Sequence, residues 1–179
     1  MLKIWSMKKD QAAAEKKKPK VTAAHIRLQK DMGELQLDRN TTMTFPDPND
    51  RLNFVVAYRP PTGIYRGGEF KFTFTVSQNY PHEAPKVLCT QKIYHPNIDT
   101  EGHVCLNILR EDWKPVLNIK SIIFGLQMLF LAPNPEDPLN KEAAEHMFNN
   151  RGDFEMAVSR AMNGGFLHNI HYDNVHYRD

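Results

Sequence analysis

The chain has 179 residues, 41% of them hydrophobic and 25% charged, with a formal net charge of +2; that is enough to bury one sizeable core, in a composition typical of a soluble globular domain. The longest apolar run, Ile122 to Ala132, is interrupted by Gly125 and Gln127 and falls well short of the roughly 20 residues a membrane-spanning helix requires. The small net charge hides an asymmetry: residues 1–20 hold seven lysines against Asp10 and Glu15, and the body that follows is mildly acidic and lacks a basic, aromatic-interleaved surface, so nucleic-acid binding is not expected.

At the start, Met1, Leu2, Ile4, Trp5 and Met7 place five large apolar residues in seven, ahead of a lysine-rich linker, residues 8–20, too polar to fold alone. Met1 to Met7 lacks the longer apolar region and small-residue cleavage site of a signal peptide, and the expected home is cytoplasmic and nuclear. In such a reducing compartment the two cysteines, Cys89 and Cys105, are expected to be free.

From Thr22, a candidate N-cap, Leu28, Met32 and Leu35 repeat at helical spacing and predict an amphipathic helix up to about Leu37. Strand signals follow at Thr42–Phe45, Leu52–Tyr58, Phe70–Val76 (Phe70, Phe72, Phe74 and Val76 in strict alternation) and Val87–Cys89. The connections, rich in Pro and Gly, suit hairpins, so the four strands are expected to form an antiparallel meander. Tyr94 to Leu117 is a long irregular stretch, the kind of loop that usually carries function. Helices are predicted at 118–131, 140–149 and 153–162, with Gly164-Gly165 as a stop. The fold class is therefore α+β, organised as an N-terminal segment (1–20), a core domain (21–165) and a C-terminal tail (166–179).

Cys89 sits in an apolar strand, where a thiol is usually inert, whereas Cys105 lies in the irregular loop among polar neighbours and is the better nucleophile candidate. A hydrolase would pair it with a histidine, but His95 precedes Pro96, which restricts its backbone and points to an imidazole that braces a turn. Nothing in the pattern sets up a hydrolytic water.

His95-Pro96-Asn97, seven further residues, then Cys105, followed by Trp113-Lys114-Pro115 and by Pro133-Asn134-Pro135-Glu136-Asp137-Pro138-Leu139, resembles the ubiquitin-conjugating enzyme family over about residues 22–165. The resemblance implies that fold's N-terminal helix, four-stranded meander, active-site loop and three C-terminal helices. It also implies that Cys105 accepts a ubiquitin-like modifier as a thioester from an activating enzyme and passes it to a lysine. Asn97 would stabilise the oxyanion, a contribution of roughly 10²- to 10³-fold in rate; a turn-forming Asn is the alternative. Asp137 would orient and help deprotonate the lysine, or else cap the following helix. Tyr94 and Leu139 would shape the lysine's approach, with His95 in support, and Ile108 and Leu117 would hold the modifier against the helix of residues 119–131.

Within the family, the run from Cys105 to Pro115 and Asn140-Lys141-Glu142-Ala143-Ala144-Glu145 look most like the neddylation-conjugating branch, which modifies cullins. In that branch an N-terminal extension docks into the activating enzyme and, when acetylated, a co-ligase; Met1, Leu2, Ile4, Trp5 and Met7 are similar to it. The chain departs from the pattern at Trp5, where Phe is usual, at Ala132, where an acidic residue is usual, and from Phe166 to Asp179. The partners implied are a modifier, an activating enzyme, a RING-type ligase with its co-ligase and a cullin, the enzyme itself acting as a monomer. No cofactor is implied, since the activating enzyme has already used the ATP. His168, His171 and His176 fit no zinc spacing, so no metal is expected. The alternatives are a carrier of ubiquitin itself, a scaffold of the same fold without activity, and a cysteine hydrolase.

Overall fold

The computed structural model describes residues 21–177. The docking peptide and linker read in residues 1–20 lie outside the described residues.

Helix α1 (Ala23–Glu34) begins at Thr22, whose N–H and hydroxyl both lie near His25 Nδ1, at 3.4 and 2.8 Å. It stops before Leu35, so the apolar stripe outruns the helix by one residue and Leu37 follows in irregular chain. Its inner face carries Leu28 into the core. Strands β1 (Thr41–Thr44), β2 (Asn53–Tyr58), β3 (Phe70–Thr75) and β4 (Lys86–Cys89) form an antiparallel meander in that order. Phe54 pairs with Phe74 and Phe72 with Cys89, so the alternating phenylalanines share one buried face, while Asn53, Lys71 and Lys86 point to solvent. This period-two segregation follows from the pleat.

Helix α2 (Ile119–Leu131) lies across that face, burying Ile119, Ile122, Ile123, Leu126 and Phe130. Phe130 is the hub, its ring 4.4 Å from Phe70 and 5.3 Å from Tyr65. Helices α3 (Lys141–Asn149) and α4 (Arg151–Met162) follow. Each of these three helices starts on an asparagine whose side chain accepts a backbone N–H in its first turn: Asn118 from Ser121, Asn140 from Ala143 and Asn150 from Asp153. Asn140 thus takes the capping task that was the alternative for Asp137.

Residues 166–177, set apart in the sequence as a tail, are part of the same packed unit. A short hairpin, β5 (Phe166–Leu167) and β6 (Ile170–His171), turns at His168 and Asn169, both at positive φ. Leu167, Tyr172 and Val175 are then buried in the common core. Val175 O accepts from Glu69 N at 2.7 Å, and Asp173 bridges to the backbone of Lys92 on both sides. A core boundary at residue 165 would cut through this packing.

Candidate active site

The loop between β4 and α2 is built on a turn at His95. Its Nδ1 accepts the Asn97 N–H at 2.9 Å and its Nε2–H donates to Leu129 O at 3.0 Å, which fixes a neutral tautomer. The ring is wholly buried, stacked on Tyr65 at 4.9 Å, and burial pulls its pKa down to about 4. His95 therefore braces the turn as the sequence suggested, with neither nitrogen left to act as a base. His103 is occupied elsewhere, Nδ1 lying 2.8 Å from Asp99 Oδ2.

The turn clamps a second loop, residues 133–140. Asn97 Nδ2 donates to Asn134 O (2.7 Å) and Asp137 O (3.1 Å), and its Oδ1 accepts Asn134 N–H at 2.9 Å. Pro96 O accepts the N–H groups of Leu139 and Asn140 at 3.0 and 2.9 Å. Asn97 is buried with both amide hydrogens engaged. In this arrangement both hydrogens are taken, and the side chain ties the turn to the loop that carries Asp137.

Cys105 is tied to the same turn by its N–H, which donates to Asn97 O at 2.8 Å. Its thiol is only 8% exposed and donates to Asp137 Oδ2 at 3.2 Å. Burial, then the neighbouring carboxylate, raise the thiol pKa, because both disfavour a thiolate. The turn thus brings Cys105 and Asp137, 32 residues apart in sequence, into direct contact, with Leu139 half-buried beside them in the chain. Tyr94 is not with them. It is 2% exposed, its hydroxyl 3.1 Å from His146 Nδ1 and its ring packed on Phe154 and Tyr172. Its ring and hydroxyl thus pack against α3, α4 and the C-terminal segment.

Two glycines that sequence reasoning passed over make the site possible. The carbonyl of Gly102 (φ +89) accepts the Cys89 N–H at 2.8 Å, and a Cβ there would meet Cys89 O at 2.1 Å. It seats the active loop on the edge of β4. Gly125, in α2, is covered by Leu106 and Ile108, which would clash with a Cβ at 2.9 and 3.3 Å. The only hint in the sequence was a glycine interrupting an apolar helix.

Ile108 and Leu117 are both half-buried at the ends of the segment leading into α2. Leu117 is pinned by Arg27, whose guanidinium donates to the carbonyls of Pro115 (2.8 Å) and Leu117 (2.7 Å) while pairing with the buried Asp31 at 2.8 Å. The outer face of α2 shows Phe124 (62% exposed), Met128 and Leu131 to solvent. Among the described residues no group of three or more His, Cys, Asp or Glu is disposed to hold a metal; His168 pairs with Glu142, and His176 donates to Gly67 O.

Residues 27–162 match the family model for ubiquitin-conjugating enzymes. The chain belongs to the ubiquitin-conjugating enzyme family, and it is an enzyme that conjugates a ubiquitin-like protein. It is similar to the NEDD8-conjugating enzyme UBC12 of Yarrowia lipolytica, 55% identical with 98% of each chain covered, and to the Nedd8-conjugating enzyme UbcE2M of Drosophila melanogaster, 53% identical with 97% of each covered. Among solved structures it is similar to S. cerevisiae Ubc12, with a TM-score of 0.85, 42% identity and 97% of each chain covered. Among the described residues the expected helix, four-stranded meander and three helices are all present, with the β5–β6 hairpin in addition.

Proposed function

We propose that this chain takes NEDD8 from its activating enzyme as a thioester on Cys105 and transfers it to a lysine of a cullin, assisted by a RING-type ligase and a co-ligase. The choice of modifier rests on relatives named as NEDD8-conjugating enzymes over nearly the whole chain. The chemistry rests on one contact, Cys105 Sγ to Asp137 Oδ2, in a site whose imidazoles are engaged elsewhere.

In charging, the thiol of Cys105 attacks the carbonyl carbon of the modifier joined to the activating enzyme's cysteine. The Cys105 proton passes towards Asp137, the new C–S bond forms, the old one breaks, and the departing thiolate takes up a proton. One thioester replaces another, so the step is close to isoenergetic and needs no strong base; the raised pKa of the free thiol keeps it protonated at rest. In discharge, Asp137 orients the incoming lysine and accepts its proton, because only the neutral amine is a nucleophile. The amide C–N bond forms as the C–S bond breaks, and Cys105 leaves as a thiolate that is reprotonated. Asn97 acts through position, by holding the loop that carries Asp137. Ile108, Leu117 and the exposed face of α2 offer the apolar surface on which a tethered modifier can rest, and Leu139 flanks the approach.

Met1, Leu2, Ile4, Trp5 and Met7 would dock into the activating enzyme and, with an acetylated Met1, a co-ligase. On this reading the enzyme needs no cofactor of its own and works as a monomer, and its two free cysteines suit the reducing cytoplasm and nucleus. The test is a charging reaction with ATP and either the NEDD8 or the ubiquitin activating enzyme with its modifier, resolved without reductant. A reducible adduct with the NEDD8 pair is expected; charging by the ubiquitin pair alone would overturn the choice of modifier.

A further inference from the structure

Away from the active site, α1 and the first hairpin of the sheet enclose a groove of about 630 Å³ that the chemistry above does not use. Leu28 and Met32 of α1, with Leu35 just past its end, form one wall, and Met43 of β1 and the following Phe45 the other. At one end the Arg51 guanidinium lies 4.6 Å over the Phe45 ring. This volume is in the range of ligand pockets, and its two methionines give it walls that adapt to the shape of an occupant.

The first described residue, Val21, is itself part of the lining and is largely exposed. The undescribed part of the chain therefore joins the groove at its mouth. That part holds an apolar peptide, Met1 to Met7, and a linker of thirteen residues, 8–20. A polar linker of that length has a root-mean-square span of about 20 Å, a reach sufficient for residues 1–7 to meet α1 and β1. The tether also holds the peptide near the groove at an effective concentration in the millimolar range, so a contact too weak to persist between separate molecules suffices here.

We propose that the groove between α1 and β1 is the resting seat of the chain's own Met1–Met7 segment, with Ile4 and Trp5 as the side chains that enter it. Seated there, the segment has its apolar side chains covered until a partner offers a better surface. This consequence rests on the docking reading of the same residues, but the contact itself does not, and it is measurable in the isolated chain.

Met32 and Met43 lie in the groove, whereas Met128, Met156 and Met162 lie on α2 and α4, so methyl-labelled methionine gives reporters and controls in one spectrum. The full-length chain is compared with its I4S/W5S variant, altered only outside the described residues. The Met32 and Met43 methyl resonances are expected to move, through loss of the indole ring current, while the three controls stay in place and the difference is independent of protein concentration. Unmoved Met32 and Met43 signals would overturn the proposal. So would a difference that fades on dilution, which would assign the groove to a second copy of the chain. Neither result bears on charging by the activating enzyme, so the proposal can fail while the functional reading stands.

Discussion

Cys89 and Cys105 are almost equally buried, at 5% and 8% exposure, yet the molecule treats them as opposites. Cys89 ends β4 on the packed face of the sheet, its thiol donating to Gln91 O at 3.3 Å, and burial pushes its pKa up to about 12. Cys105 sits on a turn whose neighbouring loop brings an exposed carboxylate onto its sulfur. What separates an inert thiol from a reactive one here is not accessibility at rest but which group faces the sulfur, and whether that group can take a proton.

The comparison breaks most sharply by substitution. Cys105→Ala should abolish the reducible adduct altogether, while Cys89→Ala should charge at the wild-type rate and lose about 1 to 2 kcal/mol of stability, as expected for a small buried side chain; an adduct surviving in the first variant would move the chemistry elsewhere. Next in size is Gly102→Ala, which sets a methyl group against Cys89 O at a backbone angle hostile to side chains. It should cost about 3 kcal/mol in urea unfolding and slow charging as well, because the strand of one cysteine carries the loop of the other.

Much of this contrast was legible in the sequence, and the part that was not has a physical reason. The strict alternation of Phe70, Phe72 and Phe74 announced a half-buried strand, and Pro96 announced a braced turn at His95. Whether Asn97 was a donor or a brace could not be read, because its partners, Asn134 and Asp137, lie 37 and 40 residues away. The packing of Tyr94 on Phe154 and Tyr172 was hidden for a related reason: position in the chain says nothing of which way a side chain points. The hairpin at residues 166–171 went unseen because its strands are two residues long and its turn is His168-Asn169 rather than the glycine-bearing pair that usually marks such turns.

A smaller effect sharpens the electrostatic side of the contrast. Asp137→Asn removes the carboxylate that opposes a thiolate at Cys105, so alkylation of that thiol by iodoacetamide should have its pH midpoint lowered and run severalfold faster at neutral pH. An unchanged midpoint would mean that burial alone sets the Cys105 pKa.

A separate effect, away from the two thiols, lies in the acid limb of stability. His95, held near 4 against an ordinary value of 6.5, binds its proton less readily folded than unfolded. Its contribution is therefore present above about pH 6.5 and lost as pH falls towards 4, up to roughly 3 kcal/mol in urea midpoints. A flat profile across that window would place the imidazole in contact with water.

The most direct test of the account is single-turnover discharge: wild type and Asp137→Asn are charged with NEDD8, the activating enzyme is stopped, and free lysine is added across a range of pH. If Asp137 receives the lysine's proton, the variant should be slowest relative to wild type at neutral pH, and the gap should narrow as pH approaches the pKa of free lysine, near 10.4. A gap of the same size at every pH, or release of free modifier at an equal rate without lysine, would contradict the assignment.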